Sequence, residues 1–262
     1  MLHPFPSLLV ATLTLLLIPV ADRHAGLARY VALSLGMLYY QCCIGVTNDL
    51  VDAADDAVAK PWKALASGAI GRRAAVLLSV ALGLIGLGLT APLGVAAWLI
   101  GVAGLGCGLS YDLWLKRSPL SWLPWSIAFP LIPTWVWVAS GSWSPFLLWV
   151  WPLGALFGLS LHLANQAPDA EGDAAQGIDS LVQRLGMRNA ARLAVVLFVV
   201  GACIASAAVL TRSGTSAALM VAVAAIALLV RLPLVRTTEP SGDFPVLAVA
   251  TAAIAVLFML VV

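Results

Sequence analysis

The sequence predicts an all-α, polytopic membrane protein with nine transmembrane helices. Composition, the spacing of apolar runs and the placement of charge each point there. Of 262 residues, 62% are hydrophobic and 10% charged, and mean hydropathy is +1.01. A soluble domain carries roughly 25% charged residues, so the 14 Lys and Arg and 12 Asp and Glu of this chain cannot cover a soluble surface. A soluble enzyme, a disordered chain and a nucleic-acid-binding domain are thereby excluded. The net charge of +2 asks for no polyanionic partner; the partner for most of the chain is the lipid bilayer.

A span takes about 20 apolar residues. Such runs lie at roughly 5–21, 27–47, 73–90, 92–110, 120–139, 146–164, 189–211, 215–235 and 243–262. The first has only His3 as a potential cation ahead of it, so it reads as an uncleaved span rather than a leader. Little more than Ala91-Pro92 separates the third from the fourth. In and around the fifth stand Trp114, Trp122, Trp125, Trp135 and Trp137. Interfacial belting and lipid-facing packing account for most of the chain's ten tryptophans, and one or two rings could shield a carbocation. Cys42, Cys43, Cys107 and Cys203 sit in apolar runs without zinc or disulfide spacing, so they read as small buried hydrophobes.

Cytoplasmic loops are enriched in Lys and Arg. With the N-terminus inside, inner loops hold Lys60, Lys63, Arg72, Arg73, Lys116, Arg117, Arg184, Arg188, Arg192, Arg231 and Arg236. The outer side holds only Arg23, Arg29 and Arg212. This bias predicts a protein of the cytoplasmic membrane, N-terminus in and C-terminus out. The acids gather on the same inner side, Asp22 excepted. Acids contribute little to topology, so their gathering predicts a charged site on the cytoplasmic face.

Two inner loops carry one pattern. Asn48, Asp52 and Asp56 follow the second span, and Asn165, Asp169 and Asp173 follow the sixth, both as Asn-x3-Asp-x3-Asp. On a helix, steps of four advance only about 40° beyond a full turn, so each trio should line one face. Gly71-Arg72-Arg73 and Gly186-Met187-Arg188 echo each other downstream. The chain reads as one transmembrane domain built from two four-helix repeats, 1–119 and 120–242, with a ninth helix at 243–262. Stacked carboxylates repel unless a cation joins them. Mg2+ typically takes one or two carboxylates plus substrate phosphate oxygens, and it stabilises charge on a leaving group. Two acidic walls with Mg2+ between them would hold a diphosphate, with Lys60, Lys63, Lys116 and Arg117 on the remaining phosphate oxygens. An apolar bundle beside such a site suits a long hydrocarbon tail, so the expected substrate is a lipid diphosphate. The bland reading of each trio is a set of water-facing loop residues; the matched pair argues against it.

Asn48-Asp49-x-x-Asp52-x-x-x-Asp56 resembles the first aspartate-rich motif of the UbiA superfamily of intramembrane prenyltransferases. Asp169-Ala170-Glu171-Gly172-Asp173, with Gly177 and Leu185-Gly186 beyond it, resembles the second. Nine helices in a UbiA-like bundle fit the whole chain. The resemblance implies a Mg2+-dependent enzyme that ionises an isoprenyl diphosphate to an allylic carbocation and transfers it to an aromatic or hydroxyl acceptor, whose identity stays open. It implies that Asn48, Asp52, Asp56, Asp169 and Asp173 surround the metals, with Asn165 completing the second stack and Asp49 a ligand or its neighbour. Catalytic roles fall on Asp52, Asp169 and Tyr111. Tyr111, Lys116 and Arg117 resemble a tyrosine-then-basic segment that contacts diphosphate, with a gap one residue longer than usual. Lys63-Ala64-Leu65-Ala66-Ser67-Gly68 resembles an Arg-Pro-Leu-x-Ser-Gly stretch, with Lys63 and Ala64 as departures. Gln166 stands where many members carry an acid.

His162, one turn before Asn165, is a candidate base for the final cation's proton or a hydrogen-bonded structural histidine. Asp55 and Asp112 read as solvated loop charges. Two other functions compete: a terpene cyclase on the same fold, quenching the cation with its own double bonds or water, and an ion-coupled transporter using intramembrane acids. Transporters often show inverted repeats and midplane sites, whereas this repeat is parallel and its acids lie at helix ends. A CDP-alcohol phosphotransferase would need an Asp-Gly and Ala-Arg pairing that Asp56-Ala57-Val58-Ala59-Lys60 lacks.

Overall fold

Lipid cannot satisfy an unpaired backbone group, so a chain this apolar must close its hydrogen bonds within helices. The computed structural model describes residues 4–175, 177–236 and 243–261, with side chains described except at 59, 175, 231–236 and 243. His3, residues 237–242 and the side chains of Arg231 and Arg236 therefore lie outside the described residues, so their part in the charge argument stays with the sequence. Every regular element among the described residues is helical: α1 (Pro4–Ala21), α2 (Leu27–Val51), α3 (Ala53–Ala59), α4 (Arg72–Thr90), α5 (Val95–Ser110), α6 (Leu123–Ala139), α7 (Val150–Gln166), α8 (Ala170–Ala175), α9 (Leu181–Leu185), α10 (Met187–Val209), α11 (Gly214–Arg236) and α12 (Asp243–Met259). Among the described residues, six segments are long and apolar enough to cross a membrane: Pro4–Ala21, Leu27–Val51, Arg72–Leu93, Val95–Leu115, Pro145–Ala174 and Met187–Val209. Leu123–Ala139, Gly214–Val230 and Phe244–Met259 are shorter apolar helices at the places expected for the fifth, eighth and ninth spans.

The chain divides into two compact units, Met1–Trp114 with Leu131–Trp143, and Leu115–Pro130 with Ser144–Val262. In the first, α2 packs on α1, α4 and α5. Hydrophobic exclusion gives little drive between helices in lipid, so close approach and interhelical hydrogen bonds carry the packing. A Cβ on Gly86 would lie 2.8 Å from the Tyr40 ring. Tyr40 Oη and Thr90 Oγ1 are 2.7 Å apart. Gly108 of α5 packs directly on the Ile44 side chain of α2. Ser142 Oγ, just past α6, donates to the Ala21 carbonyl at the end of α1 at 2.9 Å.

In the second unit, α10 packs on α7 and α11, and α12 on α7, α10 and α11. Gly158 lets the α7 backbone meet that of α6: a Cβ there would sit 2.5 Å from the Trp125 carbonyl oxygen. Ser160 Oγ donates to the Ala194 carbonyl at 2.7 Å. The Arg212 guanidinium lies 4.3 Å over the Phe146 ring, which stacks on Phe258 at 5.1 Å. Trp135 and Trp137 are buried in protein, exceptions among the tryptophans, whereas Trp62, Trp114, Trp143, Trp149 and Trp151 are exposed. One local expectation needs correction: Cys203 is exposed on its helix rather than buried.

Candidate active site

The first motif sits at the end of α2. The helix bends at Asp52, and α3 begins at once with Ala53. The hydrogen-bond register runs through the bend: Asp52 N donates to Asn48 O at 2.9 Å, Asp56 N to Asp52 O at 2.8 Å, and Lys60 N to Asp56 O at 2.7 Å. The i, i+4 stack expected for Asn48, Asp52 and Asp56 therefore keeps its backbone spacing.

Lys63 reaches back over this stack. Its Nζ lies 2.8 Å from Asp49 Oδ1 and 2.7 Å from Asp56 Oδ2. The loop that carries it is pinned by Leu65 and Ile70, which pack on Val46, Leu50 and Ala75. Main-chain bonds from Ser67 N to Lys63 O and from Ile70 N to Ala64 O close it, and Gly68, at φ +75°, makes its turn. Ala64 thus serves the turn where the resemblance expects proline. Burial pulls the Lys63 pKa down, but hydrogen bonds and charge from Asp49 and Asp56 outweigh it, so it stands above the ordinary lysine value. The ammonium is charged at neutral pH. Asp49, at 1% exposure, and Asp56 are both buried. Asp52 is half-buried, and Lys60 lies exposed at the end of α3.

The same unit buries Tyr111 and Asp112 at the start of a π-helical segment, Tyr111–Leu115, that follows α5. A π-turn accommodates one extra residue in a helix, which takes up the longer spacing between Tyr111 and Lys116. Asn48 Nδ2 donates to Asp112 Oδ1 at 3.1 Å. Asp112 is therefore not a solvated loop charge. A signal was present in the sequence: an acid directly after the tyrosine, at the end of an apolar run.

The second motif is built differently. α7 ends at Gln166, and Ala167–Asp169 form a 3-10 turn before α8. Pro168, which has no N–H to give, lies in this turn, and Ala170 N bonds to Ala167 O instead of continuing the α register. The second trio thus lacks the unbroken stack expected from its spacing. Asn165 is half-buried, Asp169 exposed and Asp173 half-buried. Gln166 is buried, and its Nε2 donates to the Lys116 main-chain carbonyl at 3.2 Å, tying Lys116 to the end of α7; Arg117 is exposed. Gln183 Nε2 donates to the Ala170 carbonyl at 2.5 Å, bracing α8. His162 is fully buried, with Nε2 3.1 Å from Ser121 Oγ and its ring 5.9 Å from that of Trp125. That is the setting of the structural alternative. Sequence reading missed Ser121 and the packing role of Gln166, because both act across elements.

Among the described residues, no three of His, Cys, Asp or Glu converge as a ready-made metal cage. The donor set nevertheless fits Mg2+, which keeps waters and takes one or two carboxylates plus phosphate oxygens rather than an all-protein cage. Asp49 Oδ1 and Asp56 Oδ2 already converge on one cation, the Lys63 ammonium. A divalent ion on those two oxygens must displace it. In the second unit, Gln166 Oε1 is a buried amide oxygen with no hydrogen-bond partner among the described residues.

The comparisons agree with this architecture. Residues 8–261 match the UbiA prenyltransferase family. A digeranylgeranylglyceryl phosphate synthase of Methanoregula boonei is 30% identical over 198 residues, 67% of this chain and 69% of the relative. Another, of Korarchaeum cryptofilum, is 29% identical over 153 residues, 57% of this chain and 54% of the relative. A UbiA homologue of Archaeoglobus fulgidus, solved with GPP and Mg2+, superposes with a TM-score of 0.74 at 16% identity, covering 98% of this chain and 96% of that one. The apo UbiA homologue of Aeropyrum pernix K1 gives 0.74 at 19% identity, covering 95% and 96%. An acid-lined end of a membrane-crossing helix, an all-helical fold shared with these structures and a family match along nearly the whole length lead to one conclusion: the chain belongs to the UbiA prenyltransferase family.

Proposed function

We propose that this protein is a Mg2+-dependent prenyltransferase acting on an isoprenyl diphosphate, with a hydroxyl on a glycerol-phosphate lipid as the first acceptor to test. The observation that carries the reading is the pair of buried carboxylates, Asp49 and Asp56, converging on one ammonium at the end of α2. The acceptor class rests on the names of the two curated relatives. Mg2+ would supply charge neutralisation on the diphosphate as its bond to the allylic carbon weakens.

The chain's own residues do the rest. Asn48, Asp49, Asp52 and Asp56 from the first motif, and Asn165, Asp169 and Asp173 from the second, offer the oxygens. Lys63, once drawn off Asp49 and Asp56, and Lys60, Lys116 and Arg117 bind diphosphate oxygens, with Tyr111 as a further contact. The allylic C–O bond breaks with its electron pair leaving on the diphosphate. An acceptor oxygen lone pair then forms the new C–O bond, and the acceptor loses its proton. We further propose, from the Lys and Arg bias, that both motifs face the cytoplasm.

The test is product analysis. Purified protein with Mg2+ is given allylic diphosphates of increasing length, with and without a glycerol-phosphate lipid acceptor. An ether-linked prenyl product that appears only with the acceptor is the expected result. Cyclic hydrocarbons or prenyl alcohol from the diphosphate alone would replace the transferase reading with the cyclase one.

A further inference from the structure

Asp112 lies at 4% exposure at the end of a membrane-crossing segment, with Oδ1 3.1 Å from Asn48 Nδ2. The bond runs from the Asn48 amide NH2, which can only donate, to the Asp112 carboxyl oxygen. That fixes the orientation of an amide whose two ends are otherwise interchangeable. The value of Asn48 to a hard cation rests wholly in its Oδ1, because such cations take oxygen ligands.

Two features of the fold put Asp112 there. The Tyr111–Leu115 segment is π-helical; such turns are rare and tend to mark functional sites. One turn earlier, Gly108 packs on Ile44, so α5 meets α2 closely at the residues four before Asp112 and four before Asn48. A larger residue at 108 would open the same seam that the polar pair closes.

We propose that Asp112 is a positioning residue of the first motif, holding the Asn48 amide by its NH2 so that the carbonyl oxygen is available to a divalent cation. This rests on the metal-diphosphate reading above. Removing a hydrogen-bonding partner of a metal ligand typically costs about 10–100-fold in metal affinity or activity.

The experiment is an Mn2+ titration followed by EPR on the full chain in detergent, with Mn2+ alone and with geranyl diphosphate. It compares the parent chain with Asp112→Leu, Asp112→Asn, Asn48→Ala and the double variant Asn48→Ala/Asp112→Leu. Asp112→Leu is expected to weaken Mn2+ binding by about 10–100-fold. Asp112→Asn, whose amide oxygen can still accept from Asn48, should lose less. The double variant should bind no more weakly than Asn48→Ala alone, because the two positions act as one. Parent-like Mn2+ binding by Asp112→Leu, or losses that add in the double variant, overturns the proposal. Should Asp112→Leu fail to fold, the isosteric Asp112→Asn, compared with and without Asn48→Ala, carries the same test. If the parent chain takes up no Mn2+ even with geranyl diphosphate, the metal-diphosphate reading itself fails. If the parent binds and the Asp112 variants bind equally well, only this inference falls.

Discussion

Lys63 is the residue on which the first motif turns. Its ammonium holds two buried carboxylates 2.8 and 2.7 Å away, so Lys63→Met leaves both without their shared counter-charge. Removing one partner of a buried ion pair costs about 3–5 kcal/mol, and thermal unfolding in detergent should register a loss of about 3 kcal/mol. Under the proposed function a divalent ion takes the two oxygens that hold the ammonium, so added Mg2+ should raise the Tm of Lys63→Met more than that of the parent. Equal shifts would separate the two cations. His162 gives a second contrast. Buried and bonded to Ser121, it is expected to act in packing, so His162→Asn should lower Tm while leaving the shape of the kcat pH profile unchanged. A lost pH limb at unchanged Tm would make it the base. The residues that mattered at this scale were partly legible. Asp49, Asp56 and Lys63 stand out as acids and a cation near one apolar end. Asp112 shows only as an acid after a tyrosine at the end of an apolar run, and Gln166 shows less, because each gains its role only when a second helix end arrives beside it.

At the scale of elements, the two motifs share a spacing and differ in backbone. Steps of four residues survive the bend at Asp52 because every N–H needed for the register is present. The same steps are interrupted between Asn165 and Asp169, where Ala167–Asp169, with Pro168 inside it, is a 3-10 turn. That difference could be read only by weighting a single proline above the repeat. The apolar helices themselves were legible from apolar length, six of them long enough to cross a membrane among the described residues, whereas the π-turn after α5 was not, since nothing in hydropathy distinguishes a helix with one extra residue. Helix contacts lie on glycines, which yields a stability prediction. Gly158→Ala drives a Cβ to 2.5 Å from the Trp125 carbonyl oxygen, and backbone cannot yield as a side-chain tip can. A loss of about 1–3 kcal/mol is expected in thermal unfolding. Gly106→Ala, with nothing within 4 Å, is the matched control and should be neutral or slightly stabilising.

For the molecule as a whole, the driving terms are those of a membrane protein. Leu8, Leu77, Leu84 and Leu229 are exposed on their helices, as lipid-facing side chains are. Charges gather in the terminal turns of helices and in the segments between them, and the proposed orientation can be read directly. With the native cysteines replaced, Ser67→Cys in intact cells should resist an impermeant thiol reagent, and Arg23→Cys should react. The reverse pattern would invert the protein and move its acids outside. The central claim is that these acids ionise an allylic diphosphate with Mg2+. The most direct measurement is diphosphate release by the purified chain with a glycerol-phosphate lipid acceptor, with Mg2+ or EDTA, for the parent and for Asp52→Asn and Asp169→Asn. Release should require Mg2+ and fall by about 100-fold or more in each variant. Release that survives both EDTA and the loss of either aspartate would contradict the account.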